Sequence, residues 1–68
     1  MTIQIELNGE ARSVSRGRSL QDLIDKLGLS GQALAVAVNR QVVTRNLWQQ
    51  RELQPNDRVD IVRAIGGG

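Results

Sequence analysis

The sequence contains no cysteine, histidine, tyrosine or phenylalanine, and it has one tryptophan and one proline in 68 residues. Without cysteine, neither a disulfide framework nor a thiolate metal site can stabilise the chain. Because histidine and tyrosine are also missing, the usual general bases, nucleophiles and zinc ligands are largely absent. We therefore expect no metal site and no enzyme active site in this chain alone.

Positive charge is present but is not concentrated. The sequence pI is about 10.5, yet the formal net charge is only +2, because nine Lys and Arg stand against seven Asp and Glu. The arginines are spread along the chain among acidic residues, and a single aromatic residue cannot form a base-stacking platform. Binding to nucleic acid is not expected.

Long hydrophobic runs are also missing. No stretch approaches the roughly 20 apolar residues that span a bilayer. The N-terminus begins at once with polar and apolar alternation, instead of the charged and apolar regions of a signal peptide. A chain of 68 residues has room for one hydrophobic core. We predict a cytoplasmic domain over residues 1–65 that has no membrane contact and is monomeric when free.

The N-terminal segment carries the pattern of a β-hairpin. Residues 3–7 alternate between apolar and polar side chains, which is the period of a half-buried strand. Asn8-Gly9 follows, and this pair strongly favours a type I′ turn, in which both central residues need positive φ. A two-residue loop here pairs Ile3 with Val14 and predicts a second strand over residues 10–15.

One amphipathic helix is predicted to begin after Ser19. Ser19 and Asp22 match a capping box, in which two otherwise unpaired backbone donors are satisfied. Gly28 stands where a left-handed C-terminal cap belongs. Apolar residues at positions i, i+3, i+4 and i+7 form one stripe, which must pack on a sheet: Leu20, Leu23, Ile24 and Leu27.

The second half of the chain predicts three more strands. Residues 34–38 form an apolar strand that ends at Asn39-Arg40, with a short return over residues 41–43. The turn over residues 54–57 has proline at its second position and precedes a last strand from Arg58. The order β-β-α-β-β-β predicts the α+β class with a β-grasp arrangement, a mixed sheet of four to five strands packed on one main helix.

Three smaller features lie between residue 43 and the last strand. Thr44 is predicted to cap a brief helical turn over residues 45–49. Trp48 is expected in the core or at a sheet edge, since a lone aromatic residue is more often structural than ligand-binding. Leu53 is predicted to close a short edge strand.

The chain ends with Gly66-Gly67-Gly68, directly after the last strand. Glycine loses the most conformational freedom on ordering, so three terminal glycines are not expected to serve a folded core. They predict a thin, flexible tail over residues 66–68 that can enter a partner's active site. The alternative is a frayed terminus without function.

Five segments together carry a family resemblance: residues 3–9, residues 19–24, residues 35–39, residues 45–48 and, above all, the ending Ile61-Val62-Arg63-Ala64-Ile65-Gly66-Gly67-Gly68. They resemble the ThiS-type sulfur carrier proteins of thiamine thiazole biosynthesis, which have the ubiquitin-like β-grasp fold. The resemblance covers essentially the whole chain. Thr44 and Asn56 depart from the family pattern, in which proline and glycine are frequent at these positions.

The resemblance implies a carrier protein and not an enzyme. An E1-like adenylating enzyme would use MgATP to convert the carboxylate of Gly68 into a glycyl adenylate, while this chain itself binds no cofactor. A persulfide sulfur, supplied by a cysteine desulfurase or a similar donor, would then replace AMP and leave a thiocarboxylate. That sulfur would pass to thiazole synthase. Gly66 and Gly67 would let the tail thread into the partner's pocket.

The last strand also suggests a docking surface. Val62 lies on the face of Asp60, opposite to Val59 and Ile61, so it either packs under the Trp48 segment or belongs to an exposed apolar patch. We predict an apolar anchor for partner proteins beside the tail. Its members are Val62, Ala64 and Ile65, flanked by Arg58 and Arg63.

Other functions remain open at this point. The small sulfur-carrier subunit of molybdopterin synthase has the same tail chemistry but another acceptor. A ubiquitin-like protein modifier would form isopeptide bonds with lysines. A passive interaction module would keep its function without the terminal glycines, because the β-grasp fold hosts many functions.

Overall fold

The Asn8-Gly9 turn sets the register of the N-terminal hairpin in the computed structural model, which describes residues 1–63. Strand β1 (Thr2–Leu7) pairs antiparallel with β2 (Glu10–Ser15), and Ile3 lies opposite Val14 as predicted. The φ angles of Asn8 and Gly9 are 50° and 85°, as a type I′ turn requires. The hairpin prediction is confirmed. The predictions for Ala64, Ile65 and the three terminal glycines fall outside the described residues.

Helix α1 (Leu20–Lys26) follows the predicted capping pattern at both ends. At its start, the Asp22 N–H donates to Ser19 Oγ (3.1 Å), and the Ser19 N–H donates to Asp22 Oδ2 (3.0 Å). At its end, Leu27 is the C-cap and Gly28 has a φ of 74°, the left-handed conformation that closes a helix. The stripe residues Leu20, Leu23 and Ile24 are buried.

The capping box predicts how acid affects α1. The hydrogen bond from the Ser19 N–H lowers the pKa of Asp22 below its ordinary value of 3.8. The stabilisation is therefore complete above the unfolded pKa and is lost as the pH falls through the lower folded pKa. Asp22→Asn keeps an oxygen acceptor but cannot ionise. We expect the melting-temperature advantage of the unchanged chain over this variant to shrink between pH 6 and pH 2; a difference independent of pH would contradict this role.

The C-terminal strands complete a mixed five-stranded sheet in the order β2-β1-β5-β3-β4. The remaining strands are β3 (Leu34–Val38), β4 (Gln41–Val42) and β5 (Arg58–Arg63). Strand β5 is parallel to β1 and antiparallel to β3, while β4 is an antiparallel edge strand on β3. One face of the sheet packs on α1. The predicted α+β, β-grasp architecture is confirmed.

The core lies between this face and α1. Strand β5 contributes its inward residues Val59 and Ile61, and β3 contributes Val36 and Val38. The remaining buried apolar residues come from the hairpin, α1 and the segment before β5: Ile5, Leu7, Val14, Leu20, Leu23, Ile24, Trp48 and Leu53. The burial of Trp48 confirms its prediction, and its indole N–H donates to the Val43 carbonyl (2.8 Å).

Two predictions between β4 and β5 need correction. Thr44 precedes a 3₁₀ helix over Arg45–Leu47, but its hydroxyl does not cap that helix, because it bonds to Asn46 Oδ1 (2.6 Å). Leu53 is buried, yet it does not close an edge strand, because the only sheet-like pairing there is an isolated bridge between Ser19 and Glu52. The Leu53 N–H bond to the Arg18 carbonyl (2.9 Å) is part of this bridge. Among the described residues, no helix is long and apolar enough to cross a membrane.

Candidate functional site

The candidate site is built on β5, the strand that leads to the terminal glycines. Strand β5 is the middle strand of the sheet, and its first residues are paired on both sides. Glu6 and Leu7 of β1 lie beside Arg58 and Val59, and the whole of β3 lies along the other side. A central position gives the strand a rigid base, which is the property needed to present a terminal segment in one direction.

The buried carboxylate of Asp57 fixes the start of β5. Asp57 is only 4% exposed, and both of its oxygens are engaged. Its Oδ2 accepts from the Gln54 N–H (2.8 Å) and lies 3.1 Å from Arg51 Nη2. Its Oδ1 accepts from Asn39 Nδ2 (3.0 Å). A buried charge is tolerated where it is paired and hydrogen-bonded in this way.

Asn39 joins that carboxylate to the β3–β4 turn. Its side-chain oxygen accepts from the Arg58 N–H (3.0 Å), and its own N–H donates to the Arg58 carbonyl (2.7 Å). Asn39 and Arg40 have φ angles of 52° and 70°, so both occupy the left-handed region within the turn. One asparagine therefore satisfies a carboxylate, a backbone donor and a backbone acceptor at the base of β5.

Asn8 supports β5 further along. The Ile61 N–H donates to Asn8 Oδ1 (2.8 Å), and the Asn8 N–H donates to the Val59 carbonyl (2.9 Å). Strand β1 has already ended at Leu7. The asparagine side chain thus supplies the acceptor that the backbone of β1 would have provided.

The face of the sheet that points away from α1 carries a small apolar patch, the outer patch, centred on Val62. Val62 is 62% exposed, so it does not pack under the Trp48 segment. It lies opposite Ala35, and Ala37 of the same strand lies opposite Val42, which is 78% exposed. Residues that are directly opposite share a face. The outer patch therefore consists of Ala35, Ala37, Val42 and Val62.

The two arginines predicted to flank the anchor differ in position. Arg58 shares the face of Val62 because the two are four residues apart in a strand. Its guanidinium lies 3.7 Å from both Glu6 and Asp60. These groups are well exposed, so the contacts orient the side chain and contribute little stability. Arg63 is exposed and has the opposite alternation to Val62, in register with Leu34. The structure places Arg58 and Val62 on one face, with Asp60 between them, and Arg63 on the other.

The sequence analysis missed the polar groups that position β5. Asp57 was assigned to a turn, Asn39 to a strand end and Asn8 to a hairpin. Their roles depend on partners that are distant in sequence: Asp57 lies 18 residues from Asn39, and Ile61 lies 53 residues from Asn8. One feature of the sequence could have indicated the roles of Asn8 and Asn39. Each of the two asparagines follows an apolar strand at a turn, and asparagine tolerates the left-handed conformation while keeping a side-chain donor and acceptor.

Two further features do not belong to the candidate site on β5. Within residues 1–63, no group of three or more Asp and Glu side chains is placed to hold a metal ion. A groove of about 230 Å³ lies between β2 and α1, with Arg18 and Lys26 among its lining residues. It also contains Val14, which is in register with Ile3 near the start of β1. Because β5 is parallel to β1, its C-terminal end lies at the opposite end of the sheet from this groove.

The comparison with protein families extends over nearly the whole sequence, the terminal glycines included. The model of the ThiS family matches residues 5–68. The sulfur carrier protein ThiS of Escherichia coli (strain K12) is 30% identical over 66 residues, an alignment that covers 97% of this chain and 100% of that protein.

Two further comparisons concern a larger protein and a solved structure. A thiazole synthase of Magnetococcus marinus is 36% identical over 66 residues, and the match covers 97% of this chain but only 20% of that protein. The crystal structure of the thiamine biosynthesis protein ThiS from Geobacter metallireducens superposes with a TM-score of 0.83. That superposition covers 97% of this chain and 100% of the other at 20% identity, so it supports the fold alone.

Proposed function

The chain belongs to the ThiS family, and on that premise we propose that it is a sulfur carrier of thiamine biosynthesis whose reactive group is the carboxylate of Gly68. The observation that carries the proposal is the extent of the family match, which includes residues 66–68. A protein that carries sulfur on its own terminus needs no general base or metal of its own. Its residues must present the terminus and dock on the enzymes that modify it.

The proposed chemistry uses the carboxylate as a nucleophile and then as an acyl group. A terminal carboxylate has a pKa of about 3.5 and is therefore ionised at neutral pH. Its oxygen attacks the α-phosphorus of MgATP in the E1-like enzyme, and pyrophosphate leaves. A persulfide sulfur then attacks the acyl carbon and displaces AMP, and cleavage of the remaining S–S bond by a thiol leaves the thiocarboxylate. Glycine at the terminus places no side chain beside the reacting carbon.

Partners follow from this sequence of steps. The E1-like adenylating enzyme supplies MgATP and a persulfide donor supplies sulfur, so this chain is a substrate protein and not an enzyme. We place it in the cytoplasm, where MgATP is available. We propose thiazole synthase as the acceptor enzyme. A stretch similar to this chain forms part of the Magnetococcus marinus thiazole synthase, which supports a pairing of carrier and acceptor.

The test of the proposal is mass spectrometry of the peptide that contains Gly68. The chain is incubated with the adenylating enzyme, MgATP and a persulfide donor, and the C-terminal peptide is analysed apart from the peptide that contains Met1. This separation is necessary because replacing oxygen by sulfur adds nearly the same mass as oxidising a methionine. Sulfur on the Gly68 carboxylate is the expected result. A carboxylate that stays unmodified under these conditions would contradict the carrier function and would leave a binding module as the remaining interpretation.

The outer patch, together with Ala64 and Ile65, is the docking surface that we propose for the adenylating enzyme. Val62 is the described member closest to the tail in sequence, and it exposes 62% of its surface on the face that α1 does not cover. Apolar residues at the centre of an interface contribute most of the binding energy, while exposed charges such as Arg58 tune association.

Val62→Asp is expected to raise the KM for this chain in adenylation by at least about 10-fold, because a carboxylate would be desolvated in the complex. The melting temperature should change little, since the side chain points to solvent. Val42→Asp is the graded comparison: Val42 lies at the far edge of the same patch, two strands away from β5, so its effect on the KM should be smaller. Pyrophosphate release measured at varied carrier concentration gives the KM. An unchanged KM for Val62→Asp, or equal effects of the two substitutions, would contradict an anchor centred on Val62.

A further inference from the structure

The backbone of β5 presents its hydrogen-bonding groups alternately to β3 and to β1. The Asn39 N–H donates to the Arg58 carbonyl, and in the register of the two strands Asp60 and Val62 point their backbone groups to β3 as well. The residues between them point to the β1 side. The Asn8 N–H donates to the Val59 carbonyl, and the Ile61 N–H donates to Asn8 Oδ1. By the same alternation, the Ile61 carbonyl and the Arg63 N–H face the β1 side.

Strand β1 does not extend along the end of β5. Its pairing with β5 stops at Leu7 and Val59, because the chain turns away at Asn8-Gly9. Strand β5 continues to Arg63. Among the described residues, no strand lies beside Ile61–Arg63 on that side.

We propose that this open edge, Ile61–Arg63 on the β1 side, pairs with an extended segment of the adenylating enzyme that binds the tail. The inference rests on the proposed function and adds how the adenylating enzyme recognises this chain. The Ile61 carbonyl and the Arg63 N–H bond to the backbone of the incoming segment, which takes the place that β1 vacates. Main-chain pairing of this kind supplies affinity, while side chains supply selectivity.

The position and charge of the edge favour that occupant. Arg63 lies three residues before Gly66, where the tail that the enzyme must hold begins, so the proposed pairing and the binding of the tail form one continuous contact. Within residues 1–63, no carboxylate lies within ion-pair distance of Arg63, so an acidic residue on the incoming segment is complementary to it. Val62 exposes an apolar side chain on the face of the sheet that points away from α1. The segment therefore carries an apolar residue beside Val62 and an acidic residue near Arg63.

Amide hydrogen exchange followed by NMR tests the pairing directly. In the free chain, the Val62 amide should exchange slowly because it faces β3, and the Arg63 amide should exchange fast. In the complex with the E1-like enzyme of the same organism, without ATP, exchange at Arg63 should slow by at least about 10-fold, because a backbone hydrogen bond must open first. Slow exchange at Arg63 in the free chain would overturn the proposal, since it would show an occupant within the chain. Protection that depends on the concentration of the free chain would point to a second copy and would equally overturn it.

Two substitutions at Arg63 separate its backbone donor from its side chain. Arg63→Ala removes the guanidinium and keeps the N–H, whereas Arg63→Pro removes the N–H as well. Proline is tolerated where the N–H faces an open edge, so both variants should fold. We expect Arg63→Pro to bind the enzyme about 3- to 10-fold more weakly than Arg63→Ala, the effect of one lost hydrogen bond. Equal dissociation constants would overturn the pairing. Should the proline variant not fold, the exchange measurement on the unchanged chain decides.

Failure of this inference can be told apart from failure of the proposed function. Adenylation of Gly68 together with an Arg63 amide that stays unprotected in the complex rejects the edge pairing and leaves the sulfur-carrier function intact. A chain that neither binds the enzyme nor accepts AMP rejects both.

Discussion

Deletion of Gly68 alone is expected to reduce thiocarboxylate formation by more than about 100-fold, although Gly67 would provide a chemically equivalent carboxylate. Each extended residue spans about 3.5 Å, so the shortened chain places its nucleophile about that far from the position of Gly68. A displacement of about 1 Å can already cost about 100-fold in a reaction that depends on alignment. The expected loss lies in the rate of adenylation within the bound complex, and binding through the outer patch should persist.

The control for this deletion is Gly68→Ala, which keeps the length of the tail and adds one methyl group beside the reacting carbon. The rate of adenylation should fall less for Gly68→Ala than for the deletion if the reach of the tail is the main requirement. Single-turnover adenylation at saturating enzyme separates the rate from binding, and the melting temperature verifies that the core is unchanged. A deletion variant that reacts at the full rate would contradict a strict requirement for the length of the tail.

Local sequence signals were enough to predict the hairpin and the helix. Asn8-Gly9 defines both the turn and the register, because a two-residue loop leaves one way to pair the strands. Ser19 and Asp22 define the start of α1 through hydrogen bonds that span three residues. The turn at Pro55 and Asn56 is likewise local, and the φ of Asn56 is 68°. Each of these elements is determined by residues close together in the sequence.

The features that sequence analysis missed depend on distant contacts. The bridge at Glu52 forms with Ser19 and not within a sheet, so the burial of Leu53 could be predicted but not its pairing. The position of β5 between β1 and β3 follows from the resemblance to a known fold, not from the spacing of its residues. The bond from Ile61 to Asn8 crosses 53 residues, and no local pattern in either segment indicates it.

The candidate site likewise combines features that the sequence predicted with features that it did not. The chemistry at Gly68 follows from the family resemblance, whereas the terminal glycines alone predicted only a tail that can enter a partner's active site. The face of Val62 followed from its alternation with Ile61, but its exposure was one of two alternatives, and the structure shows that it is exposed. The opposite placement of Arg63 also followed from alternation, although the predicted anchor had grouped it with Val62. The supports of β5 were not predicted, because they require knowledge of which loops meet at its base.

Those supports lead to the largest expected effect on stability. Asp57→Ala is expected to destabilise the fold by about 3 kcal/mol, the lower end of the range for breaking a buried charged pair. It removes the acceptor of the Gln54 N–H and of Asn39 Nδ2, and it leaves Arg51 without its carboxylate. The Arg51 side chain is 31% exposed and can turn to water, which keeps the cost at the lower end. A chain of 68 residues has a total stability of roughly 3 to 10 kcal/mol, so this variant should lose a third of its stability or more and unfold at a clearly lower urea concentration.

Urea unfolding followed by the fluorescence of Trp48 measures this loss, because Trp48 is the only aromatic residue and is 2% exposed in the fold. Asp25→Ala is the matched control: its carboxylate is exposed and accepts one side-chain bond from Gln21 (2.9 Å). It should cost no more than about 0.5 kcal/mol, as surface substitutions do. Equal midpoints for the two variants would mean that Asp57 does not hold the base of β5. Because β5 leads to the tail, Asp57→Ala should also lower the rate of adenylation. The control is the unchanged chain in enough urea to give it the same folded fraction as the variant. An equal decrease in rate would show that instability alone explains the effect.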